Sequence, residues 1–326
     1  GDDLCLAASM SDRLKQRVFS VAKRAMALGA ASMMVACSGP RLLMLDRPVA
    51  ATSTTRAIVN PTALDRENQN LLRAEGLYLL YTQDSTSAIH ELASRHAQQP
   101  SEARRRALAE MCSDHADRLT EKYPDSAMGF YLDAASLTEG GALHAVKAQS
   151  ATADRAIYEY SAARVARLIW NQRDQGAAMV KAFGGLKTWT LKLGEGAGLV
   201  DQRSYDLVVP ANWLKAKGIE WDHIALDGFG AAMVGHQRST PERVRIDPLM
   251  PDGGRGQPLN ASFRFSGNEV TFLMRDLMEG TEAEVRGRTV PLAADFSAAL
   301  AFIYYERTDR MNKLSAMLRP GKYKDM

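Results

Sequence analysis

The sequence is poor in the features that identify many enzymes, membrane proteins and nucleic-acid-binding proteins. It has three cysteines in 326 residues, too few for a disulfide framework or a thiolate metal cluster. Its formal charge is +3 overall and +1 from Cys37 onward, which gives no electrostatic argument for binding nucleic acid. No part of the chain has the 18 consecutive apolar residues typical of a membrane-spanning helix.

Motifs for nucleophilic catalysis are also absent. The pentapeptide Gly-x-Ser-x-Gly, whose small residues allow the tight turn that exposes a serine, does not occur. A loose cluster of serine, histidine and aspartate comprises Asp222, His223, Asp227, His236 and Ser239. A triad is defined by geometry, so this order along the chain does not predict a catalytic site. We assign no catalytic residue and expect the chain to be inactive by itself.

Motifs for cofactors and metals are equally weak. The run Gly228-Phe-Gly resembles the start of a phosphate-binding loop, but Met233 stands where the third glycine is needed and no Walker lysine follows. The nearest histidines, His90 and His96, are six residues apart, too far for adjacent positions on one helix face. We therefore predict neither a cofactor nor a metal site.

Two polar features have structural interpretations. His115 falls on an apolar stripe, which favours a core histidine with its hydrogen bonds satisfied. The cluster Arg104-Arg-Arg is flanked by Glu102 and Glu110, which favours a solvated helix face over a contact with lipid headgroups.

The most informative stretch is 10–37. Five basic residues between Arg13 and Arg24 precede an apolar run of 12 residues that ends at Ala36, directly before Cys37. A charged front, a short apolar middle and a small residue at the cleavage point are typical of a secretory signal peptide. The run is shorter than the roughly 20 residues that a spanning helix needs. We take Met10 as the start and leave the first nine residues out of the fold prediction.

A cysteine directly after a small residue resembles the lipobox of bacterial lipoproteins, in which that cysteine is lipid-modified. Met34 stands where a lipobox usually has leucine. Ordinary secretion, an uncleaved anchor and a buried helix are the alternatives. The resemblance implies that acyl chains on Cys37 bind membrane lipid and hold the chain in the bacterial cell envelope, facing the periplasm. Ser38 follows the cysteine, which by resemblance to sorted lipoproteins favours the outer membrane.

Changes in composition predict an α+β fold. Residues 38–60 are rich in Ser, Thr, Ala and Pro, which indicates a tether. Residues 61–182 repeat apolar residues at helical spacing and predict a helical bundle or helical-hairpin array. Residues 185–320 contain short alternating runs and glycine turns, which predict a β-rich domain with C-terminal helices. No complete α/β-hydrolase domain is predicted.

Local signals place some element boundaries. Pro100 should end one helix and Ser101 should cap the next, and Gly140-Gly predicts a turn before the long amphipathic helix that starts near Ala153. Alternating runs on both sides of Gly267-Asn predict a β-hairpin. The Pro- and Gly-rich residues 247–258 predict a surface loop.

Three passages resemble a group of bacterial α/β-hydrolase lipoproteins. Ala153-Asp-Arg-Ala-Ile-Tyr-Glu-Tyr-Ser-Ala-Ala-Arg-Val-Ala-Arg-Leu is similar to their helical lead-in. Gly228-Phe-Gly-Ala-Ala-Met-Val-Gly and Val290-Pro-Leu-Ala-Ala-Asp-Phe-Ser-Ala-Ala-Leu-Ala are similar to their middle part. The resemblance covers most of residues 60–320. In that group these regions precede a hydrolase domain with the Gly-x-Ser-x-Gly elbow, and here Met326 falls about where that domain would begin.

The resemblance implies the accessory N-terminal region of a lipid-anchored hydrolase (esterase- or lipase-like), truncated before the catalytic domain. Its partner would be that hydrolase domain. No catalytic residue can be transferred, because no position matches the nucleophile of the group. The alternative is a stand-alone envelope lipoprotein that binds a protein partner through its helical array. In both cases Cys37, as the lipidation site, is the residue to which we assign a function.

Overall fold

A computed structural model describes residues 41–44, 64–150, 152–172, 179–182, 185–196, 198–200, 204–217, 224–251 and 254–301. The proposed signal peptide with Cys37 lies outside these residues, as does most of the predicted tether. The described part of the chain is a mixed α+β structure. None of its helices combines the length and the apolar composition that a membrane span requires.

Eight α-helices are described, six of them before the main sheet. They are α1 (Arg66–Ala74), α2 (Tyr78–Gln83), α3 (Ser85–Gln98), α4 (Glu102–Leu119), α5 (Pro124–Lys147), α6 (Ala153–Asn171), α7 (Pro241–Ile246) and α8 (Phe296–Ala301).

Twelve strands are described, several of them short. They are β1 (Arg41–Met44), β2 (Met179–Ala182), β3 (Trp189–Leu193), β4 (Leu207–Pro210), β5 (Leu214–Lys217), β6 (Ala225–Leu226), β7 (Ala231–Gln237), β8 (Arg255–Ser266), β9 (Glu269–Asp276), β10 (Glu282–Val285), β11 (Arg288–Pro291) and β12 (Ala294–Asp295).

The main sheet has six strands in the order β2-β3-β9-β8-β7-β4 and curls into a half-barrel. Its neighbours are antiparallel except for β3 and β9. Three two-stranded pairs accompany it: β10 with β11, β12 with β6, and β1 with β5. The described residues between 42 and 216 and between 224 and 301 belong to one compact unit.

Side-chain caps and glycine turns explain several boundaries. The prediction that Ser101 caps a helix is confirmed, because its Oγ accepts the Arg104 amide at 3.1 Å. The predicted hairpin is also confirmed, since Ser266 pairs with Glu269 across the two-residue turn. Gly267 has a φ of +60°, as a turn with glycine first requires.

Two boundary predictions are wrong. Gly140 and Gly141 do not form a turn but lie inside α5, because that helix packs along α6 and continues to Lys147. The loop predicted for 247–258 ends early, since β8 begins at Arg255 and Pro258 pairs with Val234 inside the sheet. In both cases tertiary packing overrides a local breaker signal.

The helices and the sheet share one hydrophobic core. Helix α6 connects them, because it contacts α5 on one side and β4, β7 and β8 on the other. Its fully buried Tyr158 lies with its ring centroid 4.8 Å from that of Phe229. The Tyr158 hydroxyl also accepts the backbone amide of Phe263 in β8 at 3.1 Å, which satisfies a buried donor.

Candidate functional site

The best candidate for a functional site is a cleft of about 260 Å³ between α6, the start of β7 and the separate β6–β12 pair. Five segments line it: α6 from Arg155 to Arg164, then 210–213, 225–227, 231–232 and 293–295. Helix α6 is positioned by its N-cap, where Thr152 Oγ1 accepts the Arg155 amide at 3.2 Å.

Small side chains create the space. Eight of the eighteen lining residues are alanines, contributed by every one of the five segments. A methyl group cannot bridge the gap between a helix and a sheet that face each other, so the cleft stays open. The same short side chains would let the backbone of an incoming segment approach closely.

One side of the cleft is a row of ion-paired side chains centred on Arg155. Its Nε donates to Glu159 Oε1 at 2.6 Å, and a second guanidinium nitrogen donates to Asp227 Oδ1 at 3.2 Å. Burial raises the pKa of Glu159 to about 7 against the opposing effect of Arg155, although 33% of the Glu159 side chain is exposed. Asp227 projects into solvent with 98% of its side chain exposed.

The other side is an aromatic wall around Arg164. The Cζ of Arg164 lies 5.4 Å from the ring centroids of both Tyr160 and Trp213. Its Nη2 is bound to Asp117 Oδ1 of α4 at 2.9 Å, and the Tyr160 hydroxyl donates to the same carboxylate at 2.8 Å. These side chains are already held by one another, so the wall is a rigid surface rather than a set of free binding groups.

The mouth of the cleft is apolar. Leu226 lines it with 42% of its surface exposed, and Ile224 next to β6 is 54% exposed. The backbone of Ile224 is tied to the start of α8, because its carbonyl accepts the Phe296 amide at 3.0 Å. We call Ile224 and Leu226 the apolar rim.

This arrangement suits binding better than catalysis. The lining contains no serine, threonine, cysteine or histidine, so it offers no hydroxyl or thiol nucleophile except the phenol of Tyr160. Burial raises the pKa of that phenol further above its usual value. Arg155 is paired with Glu159 and Asp227, and Arg164 is paired with Asp117. Asp295 Oδ1 accepts the Ala298 amide. An alanine floor with an apolar rim is a surface on which another protein segment can pack.

The described members of the loose serine, histidine and aspartate cluster, from which no catalytic site was predicted, lie apart. Asp222 and His223 lie outside the described residues, and Asp227 is on the cleft. His236 is fully buried near the opposite end of β7, followed by Ser239. Among the described residues, no group of three or more His, Cys, Asp or Glu side chains could hold a metal ion.

His115 is a core residue, as predicted. Its Nδ1 lies 3.1 Å from Ser85 Oγ and its Nε2 lies 3.1 Å from Thr86 Oγ1, so both ring nitrogens are engaged. Burial, assisted by Arg118, lowers the pKa of His115 to about 4. A neutral imidazole whose second nitrogen meets a hydroxyl rather than a carboxylate lacks the orientation of a triad histidine.

The prediction of a solvated arginine face is wrong for Arg105. One guanidinium nitrogen of Arg105 donates to Asp154 Oδ2 of α6 at 2.6 Å, and only 19% of its side chain is exposed. Arg104 likewise pairs with Glu75 at 2.8 Å. The sequence prediction considered only the glutamates next to the arginines. The carboxylates that pair with Arg104 and Arg105 in the folded chain are 29 and 49 residues away.

The sequence did not reveal the cleft or the roles of Arg155, Glu159 and Trp213. The available signal was the density of alanine in the three passages that carry the resemblance, but small residues also occur at ordinary helix contacts. No family model, curated protein or solved structure matches the chain.

Proposed function

We propose that this chain is the non-catalytic accessory region of a lipid-anchored bacterial α/β hydrolase that acts on ester or lipid-like substrates. Acyl chains on Cys37 would hold it in the envelope, on the periplasmic side and preferably at the outer membrane. The helical residues 61–182 and the β-rich residues 185–320 would together present the cleft, and the apolar rim would receive the hydrolase domain.

One observation carries this proposal. The three passages that resemble the hydrolase lipoproteins are far apart in sequence, at 153–168, 228–235 and 290–301, yet all three line the cleft. They supply eleven of its eighteen lining residues. The same passages also meet in the core, where Tyr158 packs against Phe229, and the cleft is the part of this meeting that is open to solvent.

The chemistry of the surface also supports a protein partner. The apolar rim exposes two aliphatic side chains beside a cavity, which is typical of an interaction surface. The charged groups next to it are paired, so a partner can cover them without leaving an isolated buried charge. Among the described residues, Asp227 is the most exposed of these and is placed to bind a cation on the partner.

Reading the coding sequence beyond codon 326 and co-expressing what it encodes with this chain tests the proposal. We expect a domain with Gly-x-Ser-x-Gly, stable association of the two parts, and ester turnover that this chain lacks alone. Leu226→Glu should weaken association at least tenfold, because it places a charge on the apolar rim. Leu79→Glu is the matched control, since Leu79 is 66% exposed on α2 and should bind normally.

A coding sequence that lacks the elbow would refute the accessory role. Ester turnover by this chain alone would refute it as well. Equal binding by Leu226→Glu and by the wild type would leave a hydrolase partner but remove the cleft as its docking site.

The second candidate is a stand-alone envelope lipoprotein that binds a partner through its helices. It is favoured by two large side chains exposed on the helical side, Leu79 at 66% and Tyr123 at 61%. In that case chemical cross-linking in the envelope should join the partner to α1–α5, and Leu79→Glu rather than Leu226→Glu should abolish the cross-link.

A further inference from the structure

The two most exposed large apolar side chains in the described part of the chain lie three residues apart. Ile246 at the end of α7 is 81% exposed, and Leu249 in the following turn is 86% exposed. Val244, two residues before Ile246, is 38% exposed. We call Val244, Ile246 and Leu249 the apolar tip. The cleft does not use it, because none of its lining residues comes from 238–254.

The tip is held in place by polar contacts at its base. Arg243 of α7 forms an ion pair with Asp206, and its other guanidinium nitrogen donates to the Ser204 carbonyl at 3.3 Å. After the helix, Asp247 Oδ1 accepts the Leu249 amide at 3.1 Å and its second oxygen pairs with Arg255. The backbone is therefore anchored while the aliphatic side chains point away from the protein.

The charges around the tip fit an anionic surface. After the two ion pairs at the base are formed, Arg238 and Arg245 remain exposed beside the tip, with Glu242 as the only exposed carboxylate of the described residues 238–251. No carboxylate of the described part of the chain pairs with Arg245, which stands between Val244 and Ile246. Aliphatic side chains at the level of arginines that can remain with the headgroups are typical of elements that lie in a membrane interface.

We propose that the apolar tip enters the headgroup region of an anionic lipid membrane, with Arg245 and Arg238 at the phosphates. This inference rests on the proposed function to the extent that the Cys37 anchor would bring the tip to a bilayer. It adds a second contact, which would fix the orientation of the body and keep the cleft facing in one direction. An arginine near an anionic surface contributes about 1 kcal/mol, so Arg245→Gln should weaken membrane contact about fivefold.

A fluorescent label on the tip tests this proposal. The full chain with Cys5→Ser and Cys37→Ser carries no acyl anchor, and its remaining thiol, Cys112, is buried. An environment-sensitive nitrobenzoxadiazole group is then attached to Leu249→Cys. With vesicles of equal parts phosphatidylglycerol and phosphatidylethanolamine, we expect its emission to shift to the blue and rise, and with phosphatidylcholine vesicles to change little. The same label on Leu79→Cys is the control and should stay in water.

The apolar leader, residues 25–36, is common to all these proteins, so differences between label positions report on the tip alone. Ile246→Glu in the labelled protein should remove the shift. An emission at position 249 that stays at its aqueous value while the protein sediments with the anionic vesicles would overturn the proposal. A blue shift without vesicles that grows with protein concentration would also overturn it, because it would assign the tip to a second copy of the chain. Since the labelled protein carries neither an acyl anchor nor a hydrolase domain, the assay can succeed even if the proposed function fails.

Discussion

The carboxyl group of Asp133 joins the helical layer to the sheet through the indole of Trp189. Its Oδ1 accepts the Trp189 Nε1–H at 2.9 Å, and its Oδ2 accepts the Leu186 amide at 2.5 Å. Asp133 lies in the middle of α5, and the fully buried Trp189 begins β3. Gly185 makes room for this contact, since a Cβ there would lie 2.0 Å from Asp133 Oδ2. The carboxyl group of Asp133 thus fixes the position of the chain where it enters the sheet at β3.

We expect Asp133→Ala to lower the free energy of unfolding by about 2 to 4 kcal/mol, because the buried indole N–H of Trp189 and the partly buried amide of Leu186 lose their acceptor. Trp189→Phe removes only the indole donor and serves as the partner in a double-mutant cycle. Urea unfolding of the single and double variants at neutral pH would measure the coupling between the two residues. Additive effects of the two substitutions would contradict the direct role of this hydrogen bond.

Two buried acids should make stability depend on pH. Burial raises the pKa of Asp133 from 3.8 to about 7 and that of Glu159 from 4.5 to about 7. Between the unfolded pKa values and about pH 7, the native state keeps protons that the unfolded chain has lost. The stability that the two acids contribute is therefore complete below their unfolded pKa values and is lost as the pH rises through about 7.

His115 acts in the opposite direction at lower pH, because its pKa is lowered from 6.5 to about 4. The two acids outweigh this single histidine, so we expect the free energy of unfolding to decrease between about pH 5 and 7 and to level off above about pH 8. Asp133→Asn and Glu159→Gln should each flatten that decrease in urea titrations at several pH values. A stability that rises over this interval in the wild type would show that neither acid is protonated as described.

The elements that the sequence predicted correctly carry their signals locally. The hairpin of β8 and β9 has alternating side chains and a glycine where the turn needs a positive φ, and Ser101 stands directly before the helix it caps. The order of β2-β3-β9-β8-β7-β4 could not be predicted in this way, because β3 pairs in parallel with a strand about 80 residues later. Such pairings depend on packing between distant segments.

The candidate site could likewise be predicted only in part from the sequence. Arg155 is paired with Glu159 four residues away on one helix face, a spacing that sequence alone can suggest. Its second partner, Asp227, is 72 residues away and was grouped by the sequence with His236 instead. The alanines that open the cleft come from five separate segments and become a site only when α6 packs against β7.

The lipidation of Cys37 can be tested separately from the fold. We expect the wild-type protein in a bacterial host to partition with the membrane fraction, and its mass to show diacylglycerol on Cys37 after removal of residues 1–36. Cys37→Ser should be soluble in the periplasm or retain its leader. The control Cys112→Ser replaces a buried thiol and should leave the membrane association unchanged. An unmodified, full-length wild-type chain in the cytosol would disprove the anchor.

The neighbouring glycines of α5 provide a matched pair for testing how α5 and α6 pack. Alanine is favoured over glycine inside a helix by about 0.5–1 kcal/mol, and a Cβ at Gly140 would meet nothing within 4 Å, so Gly140→Ala should stabilise the protein. A Cβ at Gly141 would lie 1.8 Å from Asp154 Oδ2, a carboxylate that Arg105 holds in place. Gly141→Ala should therefore destabilise it by about 1 to 3 kcal/mol. Urea unfolding would compare the two, and Asp154→Ala should reduce the cost of Gly141→Ala. Equal stability of the two glycine variants would show that the helices do not approach as closely as described.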